Sequence, residues 1–327
     1  MHGLVVKNTG SWYTVLADDE TTWEAKVKGN FRLRGIRSTN PVAIGDGVTF
    51  VPQPDGTGLI QEIDDRKNYV IRKATNLSKQ SHILAANVDQ CFLIVTLRSP
   101  ETALTFIDRF LASAEAYRIP VVLVFNKIDL LTDSEDRQLL EGVVHLYTTV
   151  GYRCLCVSAE TGEGVEQLRG LLEENITLLS GNSGVGKSTL INRLFPSLHL
   201  RTAALSDAYD MGKHTTTFSE MYGLPTVAND SVFPSSSALH ASRSYVIDTP
   251  GIKGFGTFDM EREEVGHYFK EIFHFSADCR FNNCTHTHEP GCAVLAALER
   301  HDISESRYNS YLSMLEDKDE DRYRAKL

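Results

Sequence analysis

The sequence has no long apolar run, no leader-like N-terminus and few cysteines. No stretch approaches the roughly 18 consecutive apolar residues that a membrane helix needs. Met1 is not followed by a basic region and an apolar block, so the sequence predicts no secretory signal and favours a cytoplasmic protein. Six cysteines among 327 residues are too few for a disulfide-framed secreted fold, so a tight group of them indicates metal.

Positive charge is also scarce, because 33 Lys and Arg face 43 Asp and Glu, which gives a formal net charge of −10. This balance argues against nucleic-acid binding only as an average, since local clusters decide contacts with phosphate. The apolar share of 42% and the charged share of 23% exclude a disordered chain. At about 100 to 200 residues per domain, the length predicts two or three domains.

The N-terminal part predicts a small β-barrel. Short β-branched and aromatic segments alternate with turn signals up to about residue 65, and so short a sheet must cover its edges by closing. Two segments without acidic residues carry its basic side chains: Lys26, Lys28, Arg32, Arg34 and Arg37, then Arg66, Lys67, Arg72, Lys73 and Lys79. These are interpreted either as solvated loops or as a surface for the phosphate backbone of RNA.

From about residue 89, strands and helices alternate. Apolar runs at 91–95, 121–125, 154–157 and 176–179 predict strands, and Ser99-Pro100 is placed at the start of the first helix. This alternation predicts a parallel sheet covered on both faces, with ligands at the carboxyl ends of its strands. Residues 226–243 are interpreted as a surface insertion, and a polar helical part, with a helix at 261–275, follows about residue 254.

A phosphate-binding loop is predicted between an apolar strand and a helix that starts at Thr189. Its residues are Gly181, Asn182, Ser183, Gly184, Val185, Gly186, Lys187 and Ser188. Glycines let consecutive backbone N–H groups surround a β-phosphate, and the helix N-terminus adds positive potential. Lys187 is predicted to bridge the β- and γ-phosphates and Ser188 to bind Mg²⁺. The alternative is a plain glycine-rich turn.

Guanine recognition is predicted at Asn126, Lys127, Ile128 and Asp129, directly after a buried strand. A carboxylate accepts two hydrogen bonds, and guanine offers two adjacent donors where adenine presents an acceptor, so Asp129 favours GTP and GDP. We expect Asn126 to tie this loop to the phosphate loop and Ser158 and Ala159 to support the base. The alternative for Asp129 is a helix N-cap.

Asp248, Thr249, Pro250 and Gly251 complete a predicted nucleotide switch with the threonines at 215–217. Asp248 would hold Mg²⁺ through water and the Gly251 N–H would reach the γ-phosphate. The candidate catalytic residues are His214, Lys187 and Thr216, although the residues alone do not decide among the three threonines. Ile252 replaces the glutamine that positions water in Ras-like proteins, so unassisted hydrolysis should be slow, and His214 or a partner must help. The alternative for His214 is a solvated loop residue.

Cys279, Cys284, His286 and Cys292 fall within 14 residues and predict one structural Zn²⁺. His288 is a spare candidate for the histidine ligand, and the alternative is a set of buried free thiols. Cys91, Cys154 and Cys156 lie on predicted strands and are interpreted as core residues.

The guanine motif precedes the phosphate loop, which is the reverse of the usual order and implies circular permutation. In this order the motifs resemble the circularly permuted small ribosomal subunit biogenesis GTPase A family over nearly the full chain. The resemblance implies a GTPase that binds the small ribosomal subunit, contacts its rRNA and is stimulated by it during late maturation. It also implies zinc at the Cys₃His set. Lys213, where many relatives have arginine, and the long insertion depart from the family pattern.

We therefore predict a multidomain protein with three parts. They are an OB-fold-like RNA-binding barrel at 1–70, a circularly permuted α/β P-loop GTPase domain at 71–255 and a mostly α-helical zinc-binding domain at 256–327. We expect GTP/GDP with Mg²⁺ and zinc as cofactors, small ribosomal subunits and rRNA as partners, no membrane or DNA partner, and a monomer. The alternative is a GTP-binding RNA scaffold with little turnover. Asp129 opposes an ATPase or small-molecule kinase, and a lone Cys₃His site opposes a zinc-finger transcription factor.

Overall fold

The structure is a computed structural model. It describes residues 1–27, 41–73, 81–198, 220–224, 244–248 and 260–324. The predicted insertion at 226–243 lies outside these residues. So do the basic residues Lys28, Arg32, Arg34, Arg37 and Lys79.

The N-terminal part is a closed five-stranded barrel, as the sequence predicts. Its strands are β1 (His2–Asn8), β2 (Tyr13–Ala17), β3 (Thr22–Val27), β4 (Gly47–Pro52) and β5 (Gly58–Ile63). They run in the order β1-β2-β3-β5-β4, and β4 pairs with β1 to close the barrel. The β3–β5 pair is parallel and the others are antiparallel. Closure removes the exposed strand edges that so small a sheet would otherwise present.

A hairpin, β6 (Tyr69–Lys73) and β7 (Ser81–Ala86), connects the barrel to the central part. Arg66, just before this hairpin, is buried against Asp46, with Nε–Oδ1 and Nη2–Oδ2 distances of 2.7 and 2.6 Å. Its Nη2 also donates to the carbonyl of Pro41 at 2.7 Å. The interpretation of Arg66 as a phosphate contact is therefore wrong, because its charge is used inside the fold.

The central part is an α/β sheet covered on both faces. Its strands are β8 (Gln90–Val95), β9 (Val121–Phe125), β10 (Arg153–Cys156), β11 (Ile176–Ser180), β12 (Glu220–Gly223) and β13 (Tyr245–Asp248). Their order is β10-β9-β8-β11-β13-β12, and of these six described strands only β12 runs antiparallel to its neighbour, β13. Along β8, Cys91, Leu93 and Val95 lie in one buried cluster, while Phe92 and Ile94 lie in another. This alternation places helices on both faces.

Among the described residues, this part contains the helices α1 (Leu104–Ala116), α2 (Ser134–Val150), α3 (Val165–Leu172) and α4 (Lys187–Leu194). Helix α2 ends at Gly151 with φ +98°, the C-cap role expected of it. The predicted helix start at Ser99-Pro100 is wrong, because α1 begins five residues after Ser99. The Thr102 N–H donates to the Thr96 carbonyl at 2.9 Å, and the Thr96 N–H donates to Thr102 Oγ1 at 3.2 Å. These bonds close residues 97–101 into a loop.

The C-terminal part is helical. It comprises a 3₁₀ segment (Arg262–Tyr268), α5 (Lys270–Ser276), α6 (Ala293–Glu299) and α7 (Glu305–Arg324). The continuous helix predicted over 261–275 is wrong, because the chain is extended at Phe269, with φ −104° and ψ 105°. The Phe269 ring is fully buried and meets Tyr311 edge-on at 5.7 Å. Burial of this ring favours the break.

Both outer parts contact the central part, the barrel through its sheet and the C-terminal helices through α1. Strand β1 pairs with β12 through Lys7 and Glu220, which makes the barrel and the central sheet one eleven-stranded sheet. On the other side, the buried Arg307 of α7 binds Asp108 of α1 and Glu271 of α5. Within the described ranges, none of the helices has the length and apolar character that crossing a membrane requires.

Candidate guanine-nucleotide site and metal centre

The predicted phosphate loop lies between β11, which ends at Ser180, and α4, which begins at Lys187. Two of its glycines are required by close packing. A Cβ at Gly181 would lie 2.2 Å from the carbonyl oxygen of Ile94, and one at Gly186 would lie 2.4 Å from Asn126 Nδ2. Both also have positive φ, at +138° and +91°. The loop therefore packs against the ends of two neighbouring strands.

Lys187 closes over its own loop. Its Nζ donates to the carbonyls of Gly181 and Asn182, both at 2.8 Å. These carbonyls hold the ammonium group at the mouth of the loop. A phosphate that enters the loop would meet this cation together with the backbone N–H groups at the start of α4.

Asn126 joins the two predicted nucleotide loops. Its side chain is buried, and its Nδ2 donates to the carbonyl of Val185 in the phosphate loop at 2.8 Å. Its Oδ1 accepts from the Ala159 N–H at 3.2 Å. One amide therefore uses both of its ends to connect the loops after β9, β10 and β11. This is the connection that the sequence predicts for Asn126.

Asp129 is half-buried and its carboxylate is held in place. Ser158 Oγ donates to Asp129 Oδ1 at 2.5 Å, and the Thr161 N–H donates to Ser158 Oγ at 3.0 Å. The N-cap alternative for Asp129 is wrong, because α2 begins at Ser134 and its N-cap is Asp133, which accepts from the Asp136 N–H at 2.8 Å. The Asp129 carboxylate thus has no capping role that would explain it.

The loop between β8 and α1 belongs to the same site, which sequence reasoning missed. Lys127, at φ +63°, donates from Nζ to the Ser99 carbonyl at 2.5 Å. The Pro100 ring lies 3.5 Å from the position of a Cβ on Gly184. This loop therefore borders both nucleotide loops. The only available signal was its place at the carboxyl end of a parallel strand.

The predicted switch residues are only partly described. Asp248 ends β13, where its backbone pairs with Leu179, two residues before Gly181. The end of β13 therefore lies beside the start of the phosphate loop. His214, the threonines at 215–217, Gly251 and Ile252 lie outside the described residues.

The structure brings the four predicted zinc ligands together. Cys279 Sγ lies 3.6 Å from His286 Nδ1 and 3.9 Å from Cys292 Sγ, and Cys292 Sγ lies 3.5 Å from His286 Nδ1. All four donor atoms, including that of Cys284, lie within 4.8 Å of one another. Zinc bonded at about 2.3 Å to sulfur and about 2.0 Å to nitrogen would separate ligand atoms by roughly 3.5–3.8 Å. The donor set fits a tetrahedral ion.

The structure also distinguishes the two candidate histidines. His288 is exposed, stands outside the cluster and has its Nδ1 2.8 Å from Thr287 Oγ1. The other three cysteines lie on strands β8 and β10, and burial raises the pKa of the Cys154 and Cys156 thiols. Cys91 is a core residue as interpreted, whereas Cys154 and Cys156 are partly buried and pack against the same core.

The loop that carries His286 is fixed from outside. The hydroxyls of Tyr308 and Tyr311 on α7 donate to the carbonyls of His286 and Thr285 at 2.7 and 2.6 Å. Glu289 accepts from the Thr285 N–H at 2.6 Å and from the Thr287 N–H at 3.0 Å. Although partial burial raises the pKa of Glu289, hydrogen bonds from the Thr285 hydroxyl and from the N–H groups of Thr285 and His288 lower it below its usual range. The ligand loop is therefore shaped by protein contacts.

Two family models match the chain: the RsgA N-terminal domain over residues 2–60 and the RsgA GTPase over residues 63–258. A small ribosomal subunit biogenesis GTPase RsgA from Bacteroides fragilis is 60% identical over 325 residues, with 99% of each chain covered. The corresponding protein of Porphyromonas gingivalis is 56% identical over 326 residues, again with 99% of each chain covered.

Two solved structures are similar over nearly the whole chain. YjeQ from Thermotoga maritima is 34% identical, with a TM-score of 0.74 and coverage of 97% of this chain and 98% of that one. YloQ, described as a circularly permuted GTPase, is 26% identical, with a TM-score of 0.72 and coverage of 98% of this chain and 95% of that one.

Proposed function

The chain belongs to the RsgA GTPase family and is a GTP hydrolase, and we propose that it acts as a switch on the small ribosomal subunit. In this proposal it binds the subunit and its rRNA, assists late maturation and hydrolyses GTP faster on the particle. The observation that carries the nucleotide part is the Asn126 amide, which joins the base loop to the phosphate loop. The ribosomal part is supported by full-length similarity to proteins named for small-subunit biogenesis.

Each nucleotide residue has a proposed task. Asp129, oriented by Ser158, accepts the two guanine donors, and Ala159, whose N–H donates to Asn126 Oδ1, supports the base. Lys187 leaves its two loop carbonyls to bind the β- and γ-phosphates, while the backbone N–H groups of residues 182–189 surround them.

The switch residues act at the γ-phosphate. Ser188, Thr216 and Asp248 would hold Mg²⁺, which when bound offsets phosphate charge, and the Gly251 N–H would donate to the γ-phosphate. His214 would orient the attacking water, because the aliphatic Ile252 offers it no hydrogen bond. Bound guanine nucleotide and Mg²⁺ are thus the proposed cofactors of the central part.

The barrel and the C-terminal part have different proposed tasks. The barrel would contact rRNA through its basic segments, without Arg66, which is buried. Zn²⁺ at Cys279, Cys284, His286 and Cys292 would be structural, because a closed Cys₃His shell leaves no open position. We retain domain limits of 1–70, 71–255 and 256–327, a monomeric state and a cytoplasmic location as parts of the proposal.

The experiment is steady-state GTP hydrolysis by the pure protein, with and without purified small ribosomal subunits, at two salt concentrations. We expect strong stimulation that fades as salt rises, because Lys and Arg contacts to phosphate weaken with salt. No stimulation, together with tight GTP-dependent binding to the subunit, would instead favour the scaffold with little turnover.

Guanine selectivity has its own test. Asp129→Asn replaces an acceptor by a donor and should shift preference from guanosine to xanthosine nucleotides by at least about tenfold, which is about 1.4 kcal/mol. Competition binding measures this, with Asp133→Asn as the control on a nearby carboxylate that caps α2. Unchanged selectivity would remove Asp129 from base recognition.

A further inference from the structure

Strand β1 contains a β-bulge, at which its buried side chains pass from the barrel core to the core of the central part. The register of β1 against β2 shifts between Val5 and Lys7, which leaves Val6 as the extra residue. Val5 lies in the barrel core, whereas Val6 lies in the buried cluster that contains Met221 of β12. Bulges bend a strand and redirect its side chains. One strand thus serves both the barrel and the central sheet.

Strand β12 depends on β1 for its second neighbour. It has four residues, all paired with β13 on one side. On the other side, among the described residues, it pairs with β1 at one register position, Lys7 with Glu220. Without β1, β12 would be the edge strand of the central sheet, and short edge strands open readily.

Side chains reinforce that one position. Lys7 Nζ donates to Glu220 Oε1 at 3.0 Å, and the Tyr222 hydroxyl donates to Glu220 Oε2 at 3.1 Å. Both oxygens of the carboxylate are therefore engaged, one by the barrel and one by β12 itself. The first residue of β12 is fixed from two directions.

The pairing of Lys7 with Glu220 continues along a row of paired residues toward the predicted phosphate loop. Glu220 pairs with Asp248 on β13, and Asp248 pairs with Leu179 on β11, two residues before Gly181. One row of paired backbones therefore runs from Lys7 in the barrel to the strand that precedes the phosphate loop. Because Glu220 and Asp248 are paired, a displacement of β12 at Glu220 would also shift the backbone of Asp248.

We propose that Glu220 is a positioning residue for GTP hydrolysis, through which the barrel sets the placement of Asp248. Lys7 holds Glu220, Glu220 fixes β12 against β13, and β13 places Asp248 beside the phosphate loop. The inference rests on the proposed role of Asp248 in holding Mg²⁺. In this arrangement, a ligand that binds the barrel would affect the nucleotide site through β1, β12 and β13.

The test is single-turnover GTP hydrolysis by the isolated protein at saturating GTP, with Mg²⁺ titrated. Glu220→Lys places like charges at the joint and should slow hydrolysis about fivefold, which corresponds to about 1 kcal/mol. The Mg²⁺ concentration that gives half the maximal rate should rise. Affinity for GDP without Mg²⁺ should not change, because the base and phosphate loops keep their contacts.

The charge-swapped variant Lys7→Glu/Glu220→Lys restores the ion pair in reverse and should bring both values back to within about twofold. The matched control is Lys270→Glu. Lys270 also forms a partly exposed ion pair, with Glu115, but that pair links α5 to α1 and involves no strand of the sheet. Lys270→Glu should leave the rate and the Mg²⁺ requirement unchanged.

A wild-type rate in Glu220→Lys, or a swapped variant that stays slow, would overturn the proposal. If Glu220→Lys does not fold, the comparison of Lys7→Met with Lys270→Met decides on the same criteria, with a slower rate expected only for Lys7→Met. The variant Asp248→Asn distinguishes a failure of the proposed role of Asp248 from a failure of the proposed role of Glu220. An unchanged Mg²⁺ requirement in Asp248→Asn would refute the proposed role of Asp248, whereas a raised one beside a flat Glu220 series would refute only this inference.

Discussion

The barrel and the C-terminal helices both contact the central part, yet they are attached to it by different chemistry. The barrel adds a strand to the sheet, and the ion pair at that joint, Lys7 with Glu220, is exposed by about two fifths on each side. The C-terminal helices meet α1 through Arg307, whose side chain is 1% exposed and lies against a fully buried Asp108.

The buried joint is densely bonded. Arg307 donates to Asp108 at 2.9 Å and to both oxygens of Glu271, at 2.6 and 2.9 Å. Asp108 also accepts from the hydroxyls of Tyr147 and Ser310 at 2.8 and 2.6 Å. A strand joint retains its backbone pairing when a side chain is lost. A buried ionic joint does not tolerate the loss of its cation, because the partner charges stay desolvated.

Loss of the proposed metal should affect the C-terminal part and leave the barrel unchanged. Cys284→Ser should lose the proposed zinc and loosen the C-terminal helices, because structural zinc contributes about 10 kcal/mol or more to such folds. Elemental analysis measures the metal, and hydrogen exchange compares residues 260–316 with the barrel. Cys154→Ser is the control and should keep its metal. Full metal content in Cys284→Ser would refute the ligand assignment.

Loss of the buried cation should give the next largest effect. Arg307→Met leaves Asp108 and Glu271 without their partner and should lower the free energy of unfolding of the C-terminal part by about 3–5 kcal/mol. Urea unfolding followed by far-UV circular dichroism measures it. Both tryptophans, Trp12 and Trp23, lie in the barrel, so their fluorescence should barely change.

The control for Arg307→Met is Arg300→Met, which breaks an exposed pair with Asp302 and should cost less than about 1 kcal/mol. If the two variants lose equal stability, the buried cluster is not what holds the C-terminal helices.

The barrel joint should respond weakly to the same kind of change. Lys7→Met should lower barrel stability by only about 0.2–1 kcal/mol, because the pair is half-exposed and the strands remain paired. Tryptophan fluorescence during urea unfolding measures this. If Lys7→Met lowered the free energy of unfolding as much as Arg307→Met, the barrel would also depend on its ion pair, and the two joints would not differ.

The smallest effect concerns pH. Hydrogen bonds to Asp64 and Asp18 raise the pKa of His2 although partial burial lowers it. The folded barrel therefore favours the protonated ring, so this stabilisation is complete below about pH 6.5 and is lost as pH rises through the raised pKa. We expect about 0.2–0.5 kcal/mol, because both carboxylates are exposed.

Tryptophan-detected unfolding between pH 6 and pH 8 measures this step. His2→Gln should remove it, and the exposed C-terminal His301→Gln should not. A pH profile of His2→Gln identical to that of the unchanged protein would assign the step to another group.

The nucleotide loops were predictable because their backbones need particular residues at fixed spacing. Gly181 and Gly186 lie where a Cβ would collide with neighbouring atoms, and the amide of Asn126 is short enough to connect the base loop to the phosphate loop. The role of the loop at Ser99 was not predictable. Its contact with Lys127 uses a backbone carbonyl, which every residue carries.

Charged residues were the least predictable part. Arg66 belongs to an acid-free segment that suits RNA, yet the fold buries it on Asp46, 20 residues earlier. Arg307 joins Asp108 across 199 residues of sequence. Nothing local distinguishes these arginines from solvated ones, because their partners are brought to them only when distant elements pack.

The sequence alone was enough to predict the closed barrel, the α/β centre, the permuted order of motifs and a group of three cysteines with a nearby histidine, since each rests on local patterns and spacing. Packing between distant elements decided that His286, and not the spare candidate His288, lies with the cysteines, that the helix predicted over 261–275 is interrupted at Phe269, and that the barrel continues the central sheet. These outcomes depend on which surfaces exclude water together, and that is settled by contacts between residues far apart in the chain.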